Sequence, residues 1–283
     1  MKLSIITINR NNAFGLEKTL QSVNTQAYRD FEHIVIDGAS TDGSVDIIKR
    51  LTDDSIRRVW VSEPDTGIYN AMNKGIRMAT GDYIQILNSG DMLAADDVEE
   101  RMSAFLSSQA SPQPSIFYGN MVKCFPDGRR MRDRCFAGQD ITFLGMFTGT
   151  LNHNPAWIRR DLFEKYGYYD ESLKIVSDWK WYMQAIILGE EKPVYVDMDV
   201  TLFDMTGISE TNKVLDKKER EKVLAELFPQ TILADYERFA FPLEQIKRLQ
   251  RHPWAYKTMW FLERCLFKVE KWGKKRRGET KYQ

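Results

Sequence analysis

Three cysteines in 283 residues, Cys124, Cys135 and Cys265, form no CxxC pair and leave an odd thiol. That excludes a disulfide scaffold and a clustered zinc site, and points to a reducing compartment. Glycine-rich phosphate loops are missing as well: neither GxGxxG nor GxxxxGK followed by Ser or Thr occurs, so backbone cannot close on a dinucleotide in the usual way. No apolar run approaches the ~18 residues of a membrane-spanning helix. The opening MKLSIITINRNN is too short in apolar residues for a signal-peptide core. A cytoplasmic protein is the expectation, with contact to the inner face of the cell membrane kept open by the tail described below. Net charge is absent too, with 40 Lys+Arg against 40 Asp+Glu. Repeats and low-complexity linkers are not seen.

The zero net charge conceals an asymmetry. From Leu243 to Gln283 there are twelve lysines and arginines against four acidic residues, so the first 242 residues carry the opposite imbalance. A basic tail on an acidic body calls for an anionic partner. The tail also holds Trp254, Tyr256, Trp260, Phe261, Leu262, Leu266, Phe267 and Trp272 ahead of Lys274-Lys275-Arg276-Arg277. Aromatics followed by a polybasic run fit a helix lying on anionic lipid. No nucleic-acid recognition motif accompanies the run, so nucleic acid is not an expected partner.

The remaining sequence reads as an α/β domain. Leu3–Ile8, His33–Ile36, Arg58–Val61 and Tyr83–Leu87 are short apolar strands, and helical patterns separate them: one after Asn11-Asn12, one over Gly43–Leu51, one over Tyr69–Ala79. A βαβαβαβ order predicts a mostly parallel sheet with right-handed crossovers and helices on both faces. Further on, a helix is expected over Ala95–Leu106, a loop over Ser111–Pro114, and a hairpin of Ile116–Cys124 with Arg132–Phe136 across Pro126-Asp127-Gly128. A strand at Pro155–Ile158, helices at Leu162–Tyr166 and Asp178–Leu188, and strands at Val194–Val196 and Val200–Phe203 complete it. From Asp216 on, helices broken near Pro229, Pro242 and Pro253 are expected.

Ligands of an open parallel sheet bind at the carboxyl ends of its strands. Four polar clusters fall there: Thr7-Ile8-Asn9-Arg10, Asp37 through Gly43, Glu63 through Gly67, and Asn88-Ser89-Gly90-Asp91. Carboxylates at such ends accept hydrogen bonds from base N–H groups and ribose hydroxyls. Ser40, Thr41 and Asp42 taken alone read equally well as caps for the next helix.

Four stretches together give the sequence a family likeness: LSIITINRN, HIVIDGASTDGS, SEPDTGIYNAMNKGIRMATGDYIQILNSGD and NHNPAWIRRDLFEKYGYYDESLKIVSDWKWYMQ. Over roughly residues 1–205 the chain resembles family 2 glycosyltransferases of the GT-A fold, as found in synthesis of bacterial surface polysaccharides of O-antigen, capsule or colanic acid type. The resemblance implies transfer of a sugar, with inversion, from a nucleoside diphosphate donor, a UDP-sugar foremost, to a glycan or lipid-linked acceptor. It divides the chain into a catalytic domain over 1–205, with a nucleotide-binding half (1–91) and an acceptor half (92–205), and a helical basic extension over 206–283. It places Thr7, Asn9, Arg10, Asp37 and Asp65 about the base and ribose, and Lys74, Asn88 and Ser89 toward the rest of the donor. Asn88-Ser89-Gly90-Asp91 stands where the family carries DxD, and only Asp91 is left as a ligand for Mg²⁺ or Mn²⁺. Gly90 would allow a positive φ there. Asp178 matches the family's catalytic base, at a helix start that would keep it ionised. His153 and Trp179 fall on the acceptor side, Trp179 as a stacking surface for sugar. Two other readings remain: a non-catalytic nucleotide-binding scaffold at the membrane, against which stands the joint presence of Asp37, Asp65, Asp91 and Asp178, and a sugar nucleotidyltransferase, for which the first loop lacks a basic, glycine-rich triphosphate cradle.

Overall fold

The structure is a computed structural model that describes residues 2–52, 55–109, 113–205 and 211–276, with side chains as far as residue 273. The chain falls into two compact units, Met1–Leu227 and Phe228–Gln283.

The first unit is built on one mixed sheet. Its opening runs β1 (Leu3–Asn9), α1 (Ala13–Asn24), β2 (Phe31–Asp37), α2 (Ser44–Leu51), β3 (Arg57–Ser62), α3 (Ile68–Met78) and β4 (Tyr83–Ile86). Strands β3-β2-β1-β4 are parallel neighbours, as the alternation predicts. Every residue of β1, β2 and β4 is buried, which is why these strands read as continuous apolar runs and not as alternations. The helices that cover them use their sequence signals. The Asn12 side chain accepts from Gly15 N–H (3.1 Å) at the start of α1, and α1 presents Leu16 and Leu20 to Ile48 of α2 over Val35.

Beyond β4 the sheet is mixed. β5 (Met92–Leu93), a pair of residues too short to leave a sequence pattern, leads to α4 (Val98–Ser108), β6 (Ile116–Cys124) and β7 (Arg130–Asp133). After α5 (Phe143–Thr148), β8 (Ala156–Arg159), α6 (Asp161–Tyr166) and α7 (Ser177–Tyr182), the chain makes a π-helical turn, Met183–Leu188, where one continuous α-helix was expected. β9 (Val194–Asp204) and α8 (Lys213–Leu227) end the unit. The order is β3-β2-β1-β4-β8-β6-β9-β5, with β7 on β6. The two late strands expected from the sequence are one strand: β9 runs parallel to β6 and absorbs its irregular stretch as register shifts around Asn120. The hairpin closes two residues earlier than Arg132–Phe136, because the turn Phe125–Gly128 pairs Cys124 with Arg130. The expected loop Ser111–Pro114 lies partly outside the described residues.

The second unit contains α9 (Gln230–Gln250) and α10 (Pro253–Arg276). The break expected at Pro242 does not occur; α9 continues through it. Pro242 is exposed, so the carbonyl deprived of its N–H partner one turn earlier can turn to water. On α10 the apolar side chains Trp254, Phe261, Leu262, Leu266, Phe267 and Trp272 are all exposed. The basic run Lys274–Arg277 lies outside the residues whose side chains are described. No described helix is long and apolar enough to cross a membrane.

Candidate functional site

The rim at the carboxyl ends of β1, β2 and β4 is zipped by side chains of the first two clusters. Asp37, at the end of β2, is fully buried and accepts four hydrogen bonds: from Asn9 Nδ2 (2.8 Å), Ser40 Oγ (2.6 Å), Ser40 N–H (2.9 Å) and Ser62 Oγ (2.7 Å). Burial works against its charge, yet the Ser40, Ser62 and Asn9 donors outweigh it and hold the carboxyl below the usual range. Ser40 Oγ in turn accepts from Asn11 N–H (2.7 Å), and Asn11 Oδ1 from Thr41 N–H (2.8 Å). The loop after β1 is therefore fastened to the loop after β2. Gly38 packs closely at this junction: a Cβ there would sit 2.1 Å from Asp65 Oδ2 and the carboxylate would have to turn aside.

The Asn88–Asp91 loop has its own support. Gly90 takes φ +107°, the conformation that a glycine in place of the second Asp makes cheap. Its N–H donates to Thr19 Oγ1 (3.0 Å), which donates to the Asp91 carbonyl (2.7 Å). Asn12 Nδ2 donates to the Ser89 carbonyl (3.1 Å).

Two cavities open at this rim. The smaller, about 480 Å³, is lined among others by Asn9, Arg10, Asn12, Asp65, Ser89 and Asp204. The larger, about 610 Å³, includes Tyr69, Cys135, Asn152, Lys174, Asp178 and Arg220 in its wall. Ile68, Asn88, His153 and Phe203 line both. Asn9 Oδ1 and Asn88 Oδ1 are buried acceptors with no partner.

At the junction, Asp178 and His153 form a pair. His153 Nδ1 lies 2.8 Å from Asp178 Oδ2, and His153 Nε2 lies 3.2 Å from Asn88 Nδ2. Asp178 Oδ1 accepts from Trp179 N–H (2.9 Å), and the Tyr69 hydroxyl lies 3.1 Å away, between this oxygen and the Ile175 carbonyl. Burial favours the neutral acid; the His153 hydrogen bond and charge, with the Trp179 N–H and the Tyr69 hydroxyl, outweigh it and keep the Asp178 carboxyl below its ordinary range. The sequence assigned this effect to a helix terminus, whereas a histidine 25 positions earlier is the main counterweight. For His153, burial favours the neutral ring, but the hydrogen bond and charge of Asp178, helped by Asp91, carry its affinity for a proton above the ordinary imidazole.

Asp178 is placed by contacts from elsewhere in the fold. Glu219 of α8 accepts from the N–H groups of Lys174 (2.8 Å), Ile175 (2.9 Å) and Val176 (3.3 Å), tying down the segment just before α7. Trp181, fully buried, packs on Phe163 (4.9 Å between centroids) and donates its indole N–H to the Gly167 carbonyl (2.8 Å).

Several expected site residues stand elsewhere. Thr7 does not reach the cleft: its side chain is buried beneath the rim, 2.9 Å from His33 Nε2. Burial and the neighbouring Arg58 charge keep that ring neutral. Asp37 lies below the cavity wall and acts on it through Asn9. Lys74 is drawn off by Glu63 (2.8 Å) and the Pro64 carbonyl (2.9 Å). Trp179 edges the larger cavity but is buried, its N–H given to the Met146 carbonyl (2.9 Å) and its ring covered by the Arg220 guanidinium 4.5 Å from the centroid. It offers no open face to a sugar. Asn9, Arg10, Asp65, Asn88, Ser89, Asp91 and His153 do converge on the smaller cavity. Residues at the site that the sequence reading did not single out include Tyr69, Asn154, Asp204 and Glu219, and Asn12 was expected only as a helix cap; Asn154, inside the NHNP stretch, lay next to a residue under suspicion.

Asp91 does not present itself as a metal ligand. Its Oδ2 accepts from Asn154 Nδ2, its Oδ1 accepts from Asp204 N–H (3.1 Å), and it is almost fully buried. Burial pushes its carboxyl up to about 7. Hard cations want charged oxygens turned toward them, and both Asp91 oxygens are already taken by N–H donors. Asp91 instead locks the end of β9 and Asn154 onto the rim.

Comparison with known proteins is consistent in one direction. The profile of Glycosyl transferase family 2 matches residues 4–167. An uncharacterized glycosyltransferase of Mycobacterium tuberculosis is 32% identical over 210 residues, 73% of this chain and 76% of the relative. A PGL/p-HBAD biosynthesis glycosyltransferase of Mycobacterium bovis is 28% identical over 217 residues, 76% of this chain and 81% of the relative. Among solved structures, S. aureus TarS 1–349 in complex with UDP-GlcNAc superposes with a TM-score of 0.61 at 19% identity, over 75% of this chain and 61% of that one. The mannosyltransferase PcManGT from Pyrobaculum calidifontis, in complex with GDP-Man and Mn²⁺, gives 0.61 at 17% identity, over 90% and 72%.

Proposed function

The chain belongs to glycosyl transferase family 2 and is a glycosyltransferase of the GT-A fold, and on that premise we propose that it moves one sugar, with inversion, from a nucleoside diphosphate donor to a glycan or lipid-linked acceptor in bacterial polysaccharide or glycolipid synthesis. The observation that carries this reading is the pair of cavities sharing Asn88 and His153, with an ionised Asp178 in the larger one. One cavity takes the donor, the other the acceptor, and the reacting carbon lies at their junction.

In this reading, Asn9, Arg10 and Asp65 receive the base and ribose. Asp37 and Thr7 hold that wall in place from beneath. Asn88 and Ser89 face the diphosphate. Asp178 takes the acceptor hydroxyl's proton as the new bond forms on the face opposite the leaving group. A UDP-sugar is the donor we favour. UDP-GlcNAc and GDP-Man in the structural neighbours support a nucleoside diphosphate sugar as a class. No step is assigned to a metal, since the donor set around Asp91 does not fit one. Exposed aromatics on α10, followed by the basic run, support docking at the inner face of the cell membrane, where a lipid-linked acceptor would be met.

The test is release of free nucleotide from a panel of UDP- and GDP-sugars, with and without candidate lipid-linked acceptors. Turnover of at least one donor that disappears in Asp178→Asn is expected. Tight binding of nucleotides without turnover of any donor would favour the scaffold reading instead.

A further inference from the structure

Donor and base must stand at a set distance, because a misplacement of about 1 Å at a reacting group can cost about a hundredfold in rate. Asp178 follows a stretch, residues 167–176, that has neither helix nor strand, so its place depends on what that stretch is tied to. Among the described residues α3 is the one helix in the walls of both cavities: Ile68 and Ala71 line the smaller, and Ile68, Tyr69 and Met72 the larger. Asn70 and Asn73, on adjoining turns of the same helix, line neither. Asn73 is almost fully buried and gives both its N–H bonds to the stretch, one to the Tyr169 carbonyl (2.9 Å) and one to Glu171 Oε1 (2.8 Å), while its Oδ1 accepts from Tyr169 N–H (3.0 Å). Asn70 Nδ2 donates to Glu171 Oε2 (2.8 Å), and Asn70 Oδ1 accepts from Thr66 N–H (3.3 Å), next to Asp65 of the donor wall.

We propose that Glu171 is a positioning residue for the transfer: by clamping Asn70 and Asn73 it bolts the stretch that leads to Asp178 onto α3, so that the base keeps a fixed place relative to the donor. The inference rests on the transferase reading above and deepens it. Glu171 lines neither cavity, so it acts through α3 and not on the substrates. Its two oxygens each take one asparagine N–H, and the Asn73 and Asn70 donors hold its carboxyl below the ordinary range, which makes both bonds charge-assisted at neutral pH. The other end of the stretch is tied to the same helix by Tyr69, whose hydroxyl reaches the Ile175 carbonyl and Asp178 Oδ1. Three side chains of α3 thus span the segment from Tyr169 to Asp178, while the opposite contacts of α3 form the donor wall.

The donor and acceptor roles in this clamp can be exchanged, which separates it from a chance surface contact. Glu171→Gln cannot serve both asparagines: whichever way the new amide turns, its NH₂ group meets an Nδ2. Asn70→Asp sets one carboxylate against another. Together the two changes restore every bond with one of them reversed. The new carboxylate at position 70 accepts from Thr66 N–H and from the new amide at 171, whose oxygen still accepts from Asn73.

The experiment follows nucleotide release by the full chain from a UDP- or GDP-sugar that it turns over in an Asp178-dependent way, with calorimetry of UDP and GDP and thermal melts alongside. Glu171→Gln and Asn70→Asp should each lose about ten- to a hundredfold in kcat, the scale of a misplaced reacting group, with donor KM and nucleotide affinity little changed. The double variant should recover most of that loss. If Asn70→Asp does not fold, Asn70→Ala removes one tie without adding charge and should show the same separation of kcat from KM. A Glu171→Gln enzyme as fast as wild type overturns the proposal. So does a folded double variant no faster than its slower parent, or a loss of nucleotide affinity that matches the loss in kcat. A wild-type protein that binds neither UDP nor GDP and releases nucleotide from no donor rejects the transferase reading itself, a separate outcome.

Discussion

Asp37→Ala should destabilise the fold as well as the nucleotide site. The carboxylate is fully buried and receives four donors from Asn9, Ser40 and Ser62. Truncation strands two of them outright, the Ser40 N–H and one proton of Asn9 Nδ2; the two serine hydroxyls can rotate elsewhere. Each buried donor left without a partner costs about 1–3 kcal/mol, so a loss of about 2–6 kcal/mol is expected, a large part of a typical ~5–15 kcal/mol. Because folding depresses the Asp37 pKa, its contribution is present above the unfolded value and is lost as pH falls through the folded one. Wild type and variant should therefore converge in urea stability on acidification and diverge at pH 7. UDP affinity should drop about tenfold or more, equivalent to about 1.4 kcal/mol, as Asn9 loses its orientation. Urea melts at several pH values, with calorimetry of UDP on folded protein, decide it. A stability loss under about 1 kcal/mol at pH 7, or a gap between the two proteins that does not narrow in acid, would refute the reasoning.

Asp178→Asn retains an acceptor for the Trp179 N–H but cannot take a proton; a drop of at least about a hundredfold in transfer is expected, with UDP binding by calorimetry nearly unchanged. Glu219→Gln touches neither cavity, yet it weakens the three N–H contacts before α7; transfer should fall several-fold while UDP affinity holds, and equal losses in both would point to general unfolding. Burial pushes Glu99 up to about 8, against the pull of the Trp157 indole. The folded state thus holds this proton more tightly than the unfolded chain, and stability should decline as pH rises from the unfolded value through about 8; Glu99→Gln should flatten that decline in thermal melts. Full-length protein should float with anionic vesicles and be only partly released by salt, since aromatics resist salt while each basic residue adds about 1 kcal/mol that salt screens; a chain ending before Pro253 that floats equally well would sink the α10 reading.

The βαβαβαβ opening, the parallel half of the sheet and the position of the polar rim were legible because each is local. Strands buried on both faces write unbroken apolar runs, and the start of α1 is written by its cap, Asn12. Gly90 announced a special backbone angle for the same reason, since only the residue's own side chain decides whether φ +107° is cheap. What each polar residue touches was not local. Asp91 reads as a metal ligand until Asn154 and the end of β9, 63 and 113 positions away, are folded against its oxygens. Lys74 reads as a donor contact until Glu63 claims it, and Trp179 as a sugar platform until Arg220 covers it. Asp178 could be singled out by its surroundings in sequence, but its charge is set by His153 and Tyr69, brought in from β8's approach and from α3. Hydrogen bonds and ion pairs act over about 3 Å, and which groups come within that reach is decided by sheet order and crossovers, so the chemistry of the site belongs to the tertiary structure while the scaffold beneath it belongs to the sequence.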